Sequence, residues 1–422
     1  MVMSSFKKFG LLAMVAVMVL MLAACGGGSS SKDSSSSDGK KTLTVSVDEG
    51  YAKYVDKIKS KFEKDNDVTV KVVKKDMFET LEALPLDGPA GTAPDVMMSA
   101  YDRIGSLGQQ GHLAEVKLGN KDQLDDNDVK QVTIDDKVYG APAIIETLVL
   151  YYNKDLLDKA PTTFKELEAL TKDPRFNFAT EKGKSTAFLA KWTDFYFSYG
   201  LLAGYGGYVF GDNGTNPKDI GLNNAGSVEG ITYATKWFQT YWPKGMQDNK
   251  SADDFIQDQF VKGKAGAIIG GPWSAASYKE AKLNYGVAEI PTLDNGKPYS
   301  PFAGGKGWVI SNYSKNKDVA QKWLDYVTDT DNQNTLYDMT NEVPANHESR
   351  DVAAAKKDEL TSAVIAQYAN ATPMPNIPEM AEVWTGAENL MFDAASGNKT
   401  PKQSANDAVK VISDNIDQKY QK

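Results

Sequence analysis

The sequence predicts an α/β protein built from two lobes that exchange segments of chain. Short apolar runs typical of strands alternate with amphipathic patterns typical of helices, which is the signature of an α/β fold. The chain has 422 residues, which is long for one ordinary hydrophobic core. Composition does not change after residue 42, so interleaved lobes fit better than two separate domains. No repeat with a period of about 20–50 residues is visible, which argues against a solenoid or propeller.

The first elements predict a βαβ unit. Residues 43–47 alternate between apolar and polar as a half-buried strand does, and residues 68–73 form a second such run. Between them, apolar side chains from Tyr51 to Phe62 recur at helical spacing. Two strands joined by a helix within this length indicate a parallel pair. A third strand is expected at residues 95–98.

Later elements carry start signals or short apolar runs. Thr163 with Glu166 and Thr400 with Gln403 have the spacing of helix capping boxes. The helix that begins after Thr400 is expected to bury one face, made by Ala405, Ala408, Val409, Ile412, Ile416 and Tyr420. Further strands are expected at residues 148–152, 265–269 and 308–310.

Charge and composition exclude several classes of function. The formal net charge is −9, which disfavours binding to nucleic acid or to anionic membranes by charge. One Cys and two His rule out an internal disulfide and argue against a zinc site. The acidic residues 122–128 do not have EF-hand spacing and lack its Gly, so a solvated acidic loop is favoured over a calcium site. No cofactor and no metal are expected.

The amino terminus predicts a targeting signal. Lys7 and Lys8 precede an apolar run at residues 11–22, too short to span a bilayer and typical of a signal peptide. The run ends in Leu-Ala-Ala-Cys25, which resembles the lipobox of bacterial lipoproteins. We therefore expect a signal peptide at residues 1–24, lipidation of Cys25 and a flexible Gly/Ser tether at 25–41. The protein would be anchored at the extracellular face of the membrane of a single-membrane bacterium. The alternative is an ordinary secretory signal with an incidental Cys.

Two places mix ionised groups with apolar surroundings. Tyr101-Asp102-Arg103 follows the third strand, and loops at strand carboxyl ends are where α/β proteins bind ligands. The alternative for the Asp–Arg pair is a solvated surface salt bridge. Glu146 lies in an otherwise apolar run, residues 143–149, so its carboxylate is either satisfied by local backbone or faces a cleft.

Aromatic residues concentrate in residues 191–210. Trp192, Asp194 and Tyr196 alternate there, so a strand-like conformation would direct them to one side. In the alternative, a helix buries a face made by Phe195, Tyr199 and Leu202, and most of the rings belong to the core. Two or three of the rings are expected to reach a ligand.

Two further rings are candidate ligand contacts. Trp273 follows two glycines and a proline, and Trp384 follows Val383. Either indole has plain core packing as its alternative. Sugars pack their C–H faces on rings and hydrogen-bond their hydroxyls to Asp, Glu, Arg and Lys, so a mixture of these residue types indicates a carbohydrate cleft.

Several motifs resemble the maltose/maltodextrin-binding proteins of bacterial ABC importers, in that family's order and over nearly the whole chain after residue 42. The motifs are Phe62-Glu-Lys-Asp65, Asp102-Arg103, Tyr152-Asn-Lys-Asp-Leu-Leu157, Gly206-Gly207-Tyr208, Asn223-Asn-Ala-Gly226, Gly271-Pro272-Trp273, Asn284-Tyr-Gly-Val287, Met374-Pro-Asn-Ile-Pro378 and Ala394-Ala-Ser-Gly397. The resemblance implies a two-lobed periplasmic-binding-protein-like fold with a multi-segment hinge. It places lobe 1 at residues 42–144 plus 306–340 and lobe 2 at 149–302 plus 347–422.

The resemblance also implies which side chains contact the sugar. The expected ligand-binding residues are Asp102, Arg103, Glu146, Asp194, Tyr196, Trp273, Trp384, Tyr101 and Glu49. Asp194 stands where the family commonly has Glu. Ser99 stands where a stacking Trp is often found, and Glu388 where an Arg can contact sugar. The loop after the first strand is one residue short, so Asp48 and Glu49 align poorly with the family's Asp-Lys pair.

The expected function is capture of maltodextrins and their delivery to the permease subunits of an ABC transporter, by a monomer without enzymatic activity. A galacto- or xylo-oligosaccharide is the alternative ligand, left open by Ser99 and Glu388. A glycosidase is a further alternative, since Asp102, Glu146 and Asp194 could in principle pair as acid and base. The sequence contains no spacing that brings two of these carboxylates together.

Overall fold

Two larger β-sheets organise residues 40–420, the part of the chain that the computed structural model describes. The strands are β1 (Lys41–Val47), β2 (Val68–Lys74), β3 (Val96–Ala100), β4 (Thr133–Ile134), β5 (Lys137–Val138), β6 (Ala141–Glu146), β7 (Val149–Asn153), β8 (Phe188–Leu189), β9 (Asn216–Ile220), β10 (Ala267–Gly270), β11 (Tyr285–Ala288), β12 (Phe302–Ile310) and β13 (Thr372–Pro373).

Helices surround both sheets. They are α1 (Glu49–Asn66), α2 (Met77–Ala90), α3 (Tyr101–Gln109), α4 (Asp126–Gln131), α5 (Phe164–Leu170), α6 (Phe195–Gly204), α7 (Gly211–Gly214), α8 (Ala225–Lys236), α9 (Ala252–Val261), α10 (Ala275–Glu280), α11 (Lys317–Val327), α12 (Thr330–Thr340), α13 (His347–Ala355), α14 (Glu359–Tyr368), α15 (Met380–Gly386), α16 (Leu390–Ala395) and α17 (Pro401–Tyr420). Among the described residues, no helix combines the length and apolar character that crossing a bilayer requires.

The first sheet has the strand order β13-β12-β3-β1-β2, and β6 also pairs with β12. β1 runs parallel to β2 and β3, with α1 as the connection between β1 and β2, so the predicted βαβ unit is confirmed. β12 is antiparallel to both β3 and β6. It covers residues 302–310, longer than the predicted strand at 308–310, because its first half is rich in glycine and shows no alternation.

The second sheet has the order β11-β7-β10-β8, in which β7 is antiparallel to both β10 and β11. The chain passes between the two lobes three times. The first passage follows β6, the second precedes β12, and the third is the segment 341–346 between α12 and α13. This segment pairs with β6, since Ile145 N donates to Val343 O (2.9 Å) and Ala345 N to Ala143 O (3.0 Å).

Each sheet carries its own hydrophobic core. One core includes Leu43, Val96 and Trp308, and the other includes Leu150, Phe188 and Ile268. The architecture is therefore a two-lobed α/β fold whose lobes exchange segments, as the sequence predicts. The exact lobe boundaries stay a prediction.

The predicted helix starts are confirmed. Thr163 Oγ1 accepts from Glu166 N (3.2 Å), and Thr400 and Gln403 each bond the other's backbone N–H. On α17, the buried face includes Ala405, Ala408, Ile412 and Ile416. Val409 is only half-buried and Tyr420 is exposed, so the predicted face was too wide. The predicted signal peptide, Cys25 and nearly all of the tether lie outside the described residues.

The acidic residues 122–128 are not a wholly solvated loop, and that expectation was wrong for Asp128. Asp128 lies on α4 and is fully buried, where its Oδ1 accepts a hydrogen bond from Tyr368 Oη (2.7 Å). Arg350 Nη1 lies 4.0 Å from the other carboxylate oxygen. A side chain of α4 is thus held by α13 and α14, which lie far away in the sequence, so sequence spacing cannot predict the contact.

Candidate binding cleft

A cleft of about 1560 Å³ lies between the two lobes. Its volume exceeds the roughly 300–1,000 Å³ typical of small-molecule sites, so it has room for an extended ligand. Seven of the residues predicted from the sequence line it, namely Asp102, Arg103, Glu146, Asp194, Tyr196, Trp273 and Trp384. Charged side chains line both sides of the cleft, whereas five of its seven aromatic side chains lie on the lobe 2 side.

Asp102 and Arg103 lie in the first turn of α3, immediately after β3. Arg103 Nε is 3.4 Å from Asp102 Oδ2, an ion pair too long to be a good hydrogen bond, and this buried N–H has no hydrogen-bond partner in the described part of the chain. The guanidinium also lies over the Phe78 ring, 5.6 Å from its centroid. Burial raises the pKa of Asp102, and Arg103 opposes that rise.

Glu146 ends β6 at the first passage between the lobes. Its Oε2 accepts from Lys306 Nζ (2.7 Å), and Lys306 Nζ is also 3.4 Å from Oε1 of Glu342. We call Glu146, Lys306 and Glu342 the hinge ion cluster. Burial alone would lower the pKa of Lys306, but the two carboxylates more than offset it, so this pKa is raised well above its usual value.

The lobe 2 wall begins at the amino end of α6. Asp194 is the N-cap of this helix and its Oδ1 accepts from Tyr196 N (3.0 Å), so the strand-like alternation predicted for residues 192–196 was wrong. The helical alternative is the correct one: Phe195, Tyr199 and Leu202 are buried. Trp192 belongs to the core, whereas Tyr196 and Phe197 face the cleft.

Phe302, the first residue of β12, supports the aromatic wall. Its ring stacks on Tyr199 with centroids 3.8 Å apart and planes 3° from parallel. The rings of Tyr196 and Trp384 lie 6.1 and 6.0 Å from it, and Phe195 packs against Trp384 at 5.9 Å. Two cleft rings are therefore held from below by a shared buried ring layer, and aromatic pairs at these distances are attractive.

Trp273 is held differently, because its indole folds back over the glycine two residues before it. A Cβ added to Gly271 would lie 2.1 Å from the Trp273 ring. The Gly271 carbonyl accepts from buried Tyr151 Oη (2.9 Å), which fixes the backbone beneath the indole. Trp273 is 45% exposed, the only Trp among the exposed large apolar side chains of the described residues.

Two of the predicted ligand-binding residues do not line the cleft. Tyr101 is buried, and its ring packs beneath Gly305 of β12, where an added Cβ would meet it at 2.5 Å. Glu49 points to solvent and pairs with Lys74 (2.8 Å). Among the departures from the family pattern, Ser99 is fully buried in β3 and Glu388 lies on the surface.

Sequence reasoning missed several side chains that line the cleft. These are Asp48, Tyr51, Asp76, Phe78, Lys306 and Glu342. Asp48 accepts from Met77 N (2.7 Å), and burial raises its pKa. A lysine flanked by glycines in the stretch Gly304-Gly-Lys-Gly307 was the one available signal for Lys306. Within residues 40–420, no group of three or more Cys, His, Asp or Glu residues has the arrangement of a metal site.

Residues 57–363 match the family described as bacterial extracellular solute-binding protein. The chain belongs to this family. It is 69% identical over 385 residues to the maltodextrin-binding protein of Bacillus subtilis (strain 168), a match that covers 91% of this chain and 92% of the relative. It is 54% identical over 381 residues to a maltooligosaccharide ABC transporter solute-binding lipoprotein of Streptococcus pneumoniae (strain ATCC BAA-255 / R6), with 90% of each chain covered.

Among solved structures, this solute-binding protein is similar to the maltose-binding periplasmic protein of Listeria monocytogenes in complex with maltose. The sequence identity is 84%, the TM-score is 0.87, and the match covers 91% of this chain and all of that chain. These comparisons confirm the resemblance to maltose/maltodextrin-binding proteins that the sequence motifs predict. They also agree with the two-lobed α/β fold.

Proposed function

We propose that this solute-binding protein captures maltodextrins, from maltose and maltotriose upward, between its lobes and delivers them to an ABC permease. The observation that carries the proposal is the convergence of charged side chains and aromatic rings from both lobes on one long cleft. The relatives that bind maltodextrins or maltooligosaccharides match the chain over nine-tenths of its length.

The proposed contacts follow from sugar chemistry. Tyr196, Trp273 and Trp384 offer ring faces to the C–H faces of glucose units. Asp102, Arg103, Glu146 and Asp194 offer charged donors and acceptors to hydroxyls, and the Arg103 side chain is 42% exposed. Tyr101 and Glu49 are left out of this set because neither lines the cleft. A sugar that touches both walls stabilises only the closed arrangement of the lobes, so binding favours closure.

The proposal extends to where and how the protein works. We infer a monomer held at the extracellular face of the membrane by a lipid on Cys25, with the tether letting the lobes reach the permease. We further infer that it has no catalytic activity of its own. The relative in Streptococcus pneumoniae described as a lipoprotein supports the anchor.

Isothermal titration calorimetry against a panel of sugars tests the ligand class. Maltose, maltotriose and maltopentaose are each titrated into the mature protein, alongside galacto- and xylo-oligosaccharides of matched length. We expect saturable heat with the maltodextrins only. Saturable heat with a galacto- or xylo-oligosaccharide and none with maltodextrins would establish the other ligand class. Release of reducing ends from maltopentaose on long incubation would contradict the absence of catalysis.

A further inference from the structure

The three passages between the lobes meet at one cation. Lys306 lies on β12, which follows the second passage, Glu146 ends β6 at the first, and Glu342 lies in the third. The Lys306 ammonium contacts both carboxylates, at 2.7 and 3.4 Å. The β12–β6 pairing shifts register between Lys306 and Gly307, and such irregularities re-aim a side chain. Ion pairs thus join all three segments at the floor of the cleft.

The hinge ion cluster is largely removed from solvent. The side chains of Lys306, Glu146 and Glu342 are 12%, 14% and 17% exposed, yet all three line the cleft. Buried carboxylates need a compensating partner, and Lys306 is the cation they share. Tyr51 Oη donates to Glu342, and its ring lies 5.9 Å from Lys306 Nζ. Asp48 and Tyr196 are the other titratable groups that Lys306 influences.

The ammonium also keeps a donor for the cleft. It carries three N–H groups, and two of them are directed at Glu146 and Glu342. Among the described residues, no further acceptor takes the third. Side chains two positions apart in a strand share a face, and the residue two before Lys306 is Gly304, which has no side chain to cover the head group. The carboxylate of Glu146 is therefore held in place while its cation still faces the ligand space.

We propose that Lys306 is the positioning residue that fixes Glu146 for hydrogen bonding to the ligand and thereby links occupancy of the cleft to all three hinge segments. The inference rests on the proposed function. It deepens that function by assigning a role to a residue outside the seven proposed ligand contacts. A merely structural lysine would stabilise the fold and leave affinity and its pH profile unchanged, so the two roles are separable.

The decisive variant is Lys306→Met, compared with the parent by calorimetry with maltotriose between about pH 5.5 and 7.5. Without the cation, Glu146 and Glu342 repel each other at neutral pH, and protonation of one of them relieves the repulsion as the pH falls. We expect Kd to rise at least tenfold at pH 7.5 and to recover toward pH 5.5. The parent and Lys306→Arg should change little over the same range.

Lys262→Met is the matched control, because it also removes a lysine from an ion pair, with Asp258, on the exposed surface of lobe 2. It should bind as the parent does. If Lys306→Met does not fold, the double variant Lys306→Met/Glu342→Gln keeps the parent's net charge in the cluster. Because Gln at position 342 removes the repulsion as protonation does, we expect this variant to bind at pH 7.5 about as Lys306→Met does at pH 5.5, with little change between the two pH values.

A double-mutant cycle tests whether Lys306 acts through Glu146. If it does, Lys306→Met/Glu146→Gln should bind no more weakly than Glu146→Gln alone. Binding by Lys306→Met within twofold of the parent at all pH values would overturn the inference and leave the proposed function standing. A parent that binds no maltodextrin would instead overturn the proposed function, and the inference with it.

Discussion

The two tryptophans of the cleft have different supports, so their removal should have different consequences. Trp273 is 45% exposed and rests on Gly271, whereas Trp384 packs on Phe195 and Phe302. We expect Trp273→Ala and Trp384→Ala each to weaken maltotriose binding by about 1–3 kcal/mol. Only Trp384→Ala should also lower the melting temperature.

Calorimetry and thermal unfolding measure these two effects separately. Leu86→Ala, at a side chain that is 77% exposed outside the cleft, is the control for the loss of apolar surface. Unchanged affinity in both tryptophan variants would remove the rings from the proposed contact set.

Gly271 offers a second test of the Trp273 platform that leaves the indole present. Because an added Cβ would lie 2.1 Å from the ring, Gly271→Ala must displace the indole from its resting position. We expect Kd for maltotriose to rise to within about twofold of the Trp273→Ala value. Gly245→Ala, where nothing lies within 4 Å of an added Cβ, should leave Kd unchanged. A Gly271→Ala protein with parent affinity would show that the position of the indole is irrelevant.

At the residue scale, the sequence predicted which side chains could bind a ligand better than it predicted where each side chain points. Asp102 and Arg103 reach the cleft because they open a helix after a strand, a context visible in the sequence. Tyr101 begins the same helix, but its ring enters the core beneath Gly305 of β12. Lys306 was not predicted because the glycine-rich stretch around it lacks the alternation of apolar and polar residues that would indicate a strand.

At the scale of elements, the contact between α4 and α14 depends on a buried carboxyl group. Burial raises the pKa of Asp128 to about 6, although the hydrogen bond from Tyr368 and the charge of Arg350 oppose the rise. In the unfolded chain the same group titrates near its ordinary value of 3.8. Between these values the folded protein retains a proton that the unfolded chain has released. Its contribution to stability is therefore present at low pH and is lost as pH rises through about 6.

Asp128→Asn should remove this pH dependence, because an amide stays neutral and still accepts from Tyr368. We expect the stability of the variant, relative to the parent, to increase by about 1–3 kcal/mol between pH 4.5 and 7.5. Urea unfolding at the two pH values measures the difference. Asp126→Asn, at an exposed position on the same helix, should show no such change. A parallel pH dependence in Asp128→Asn and the parent would contradict this account.

The elements that the sequence predicted are those with local signals. The helix starts at Thr163 and Thr400 and the strands of the βαβ unit were found because their patterns are complete within a few residues. The stretch 192–196 was ambiguous because alternation and helical periodicity coincide there. The helix forms because the Asp194 side chain caps its amino end.

At the scale of the whole molecule, we expect a lipid-anchored tether to hold the lobes at the membrane. Cys25→Ser removes the sulfur to which a lipid would attach. We expect the variant in the culture medium and the parent in the membrane fraction, with equal affinity for maltotriose because the change is outside the lobes. Fractionation with labelled fatty acid measures this, and Ser30→Ala is the control within the tether. A Cys25→Ser protein that remains in the membrane fraction would contradict the anchor.

The interleaving of the lobes could be predicted only in part. A chain without a composition break indicated exchanged segments, but the pairing of β12 with both β3 and β6 joins residues far apart in sequence. The meeting of all three passages at Lys306 follows from that pairing. It depends on register, which no local pattern determines.

The distribution of the tryptophans makes intrinsic fluorescence a probe of the cleft. Five of its seven indoles are fully buried in the lobes, namely Trp192, Trp237, Trp242, Trp308 and Trp323. Only Trp273 and Trp384 line the cleft. A change in intrinsic fluorescence on adding a ligand would therefore arise mainly from those two side chains, against a nearly constant background, without any attached dye.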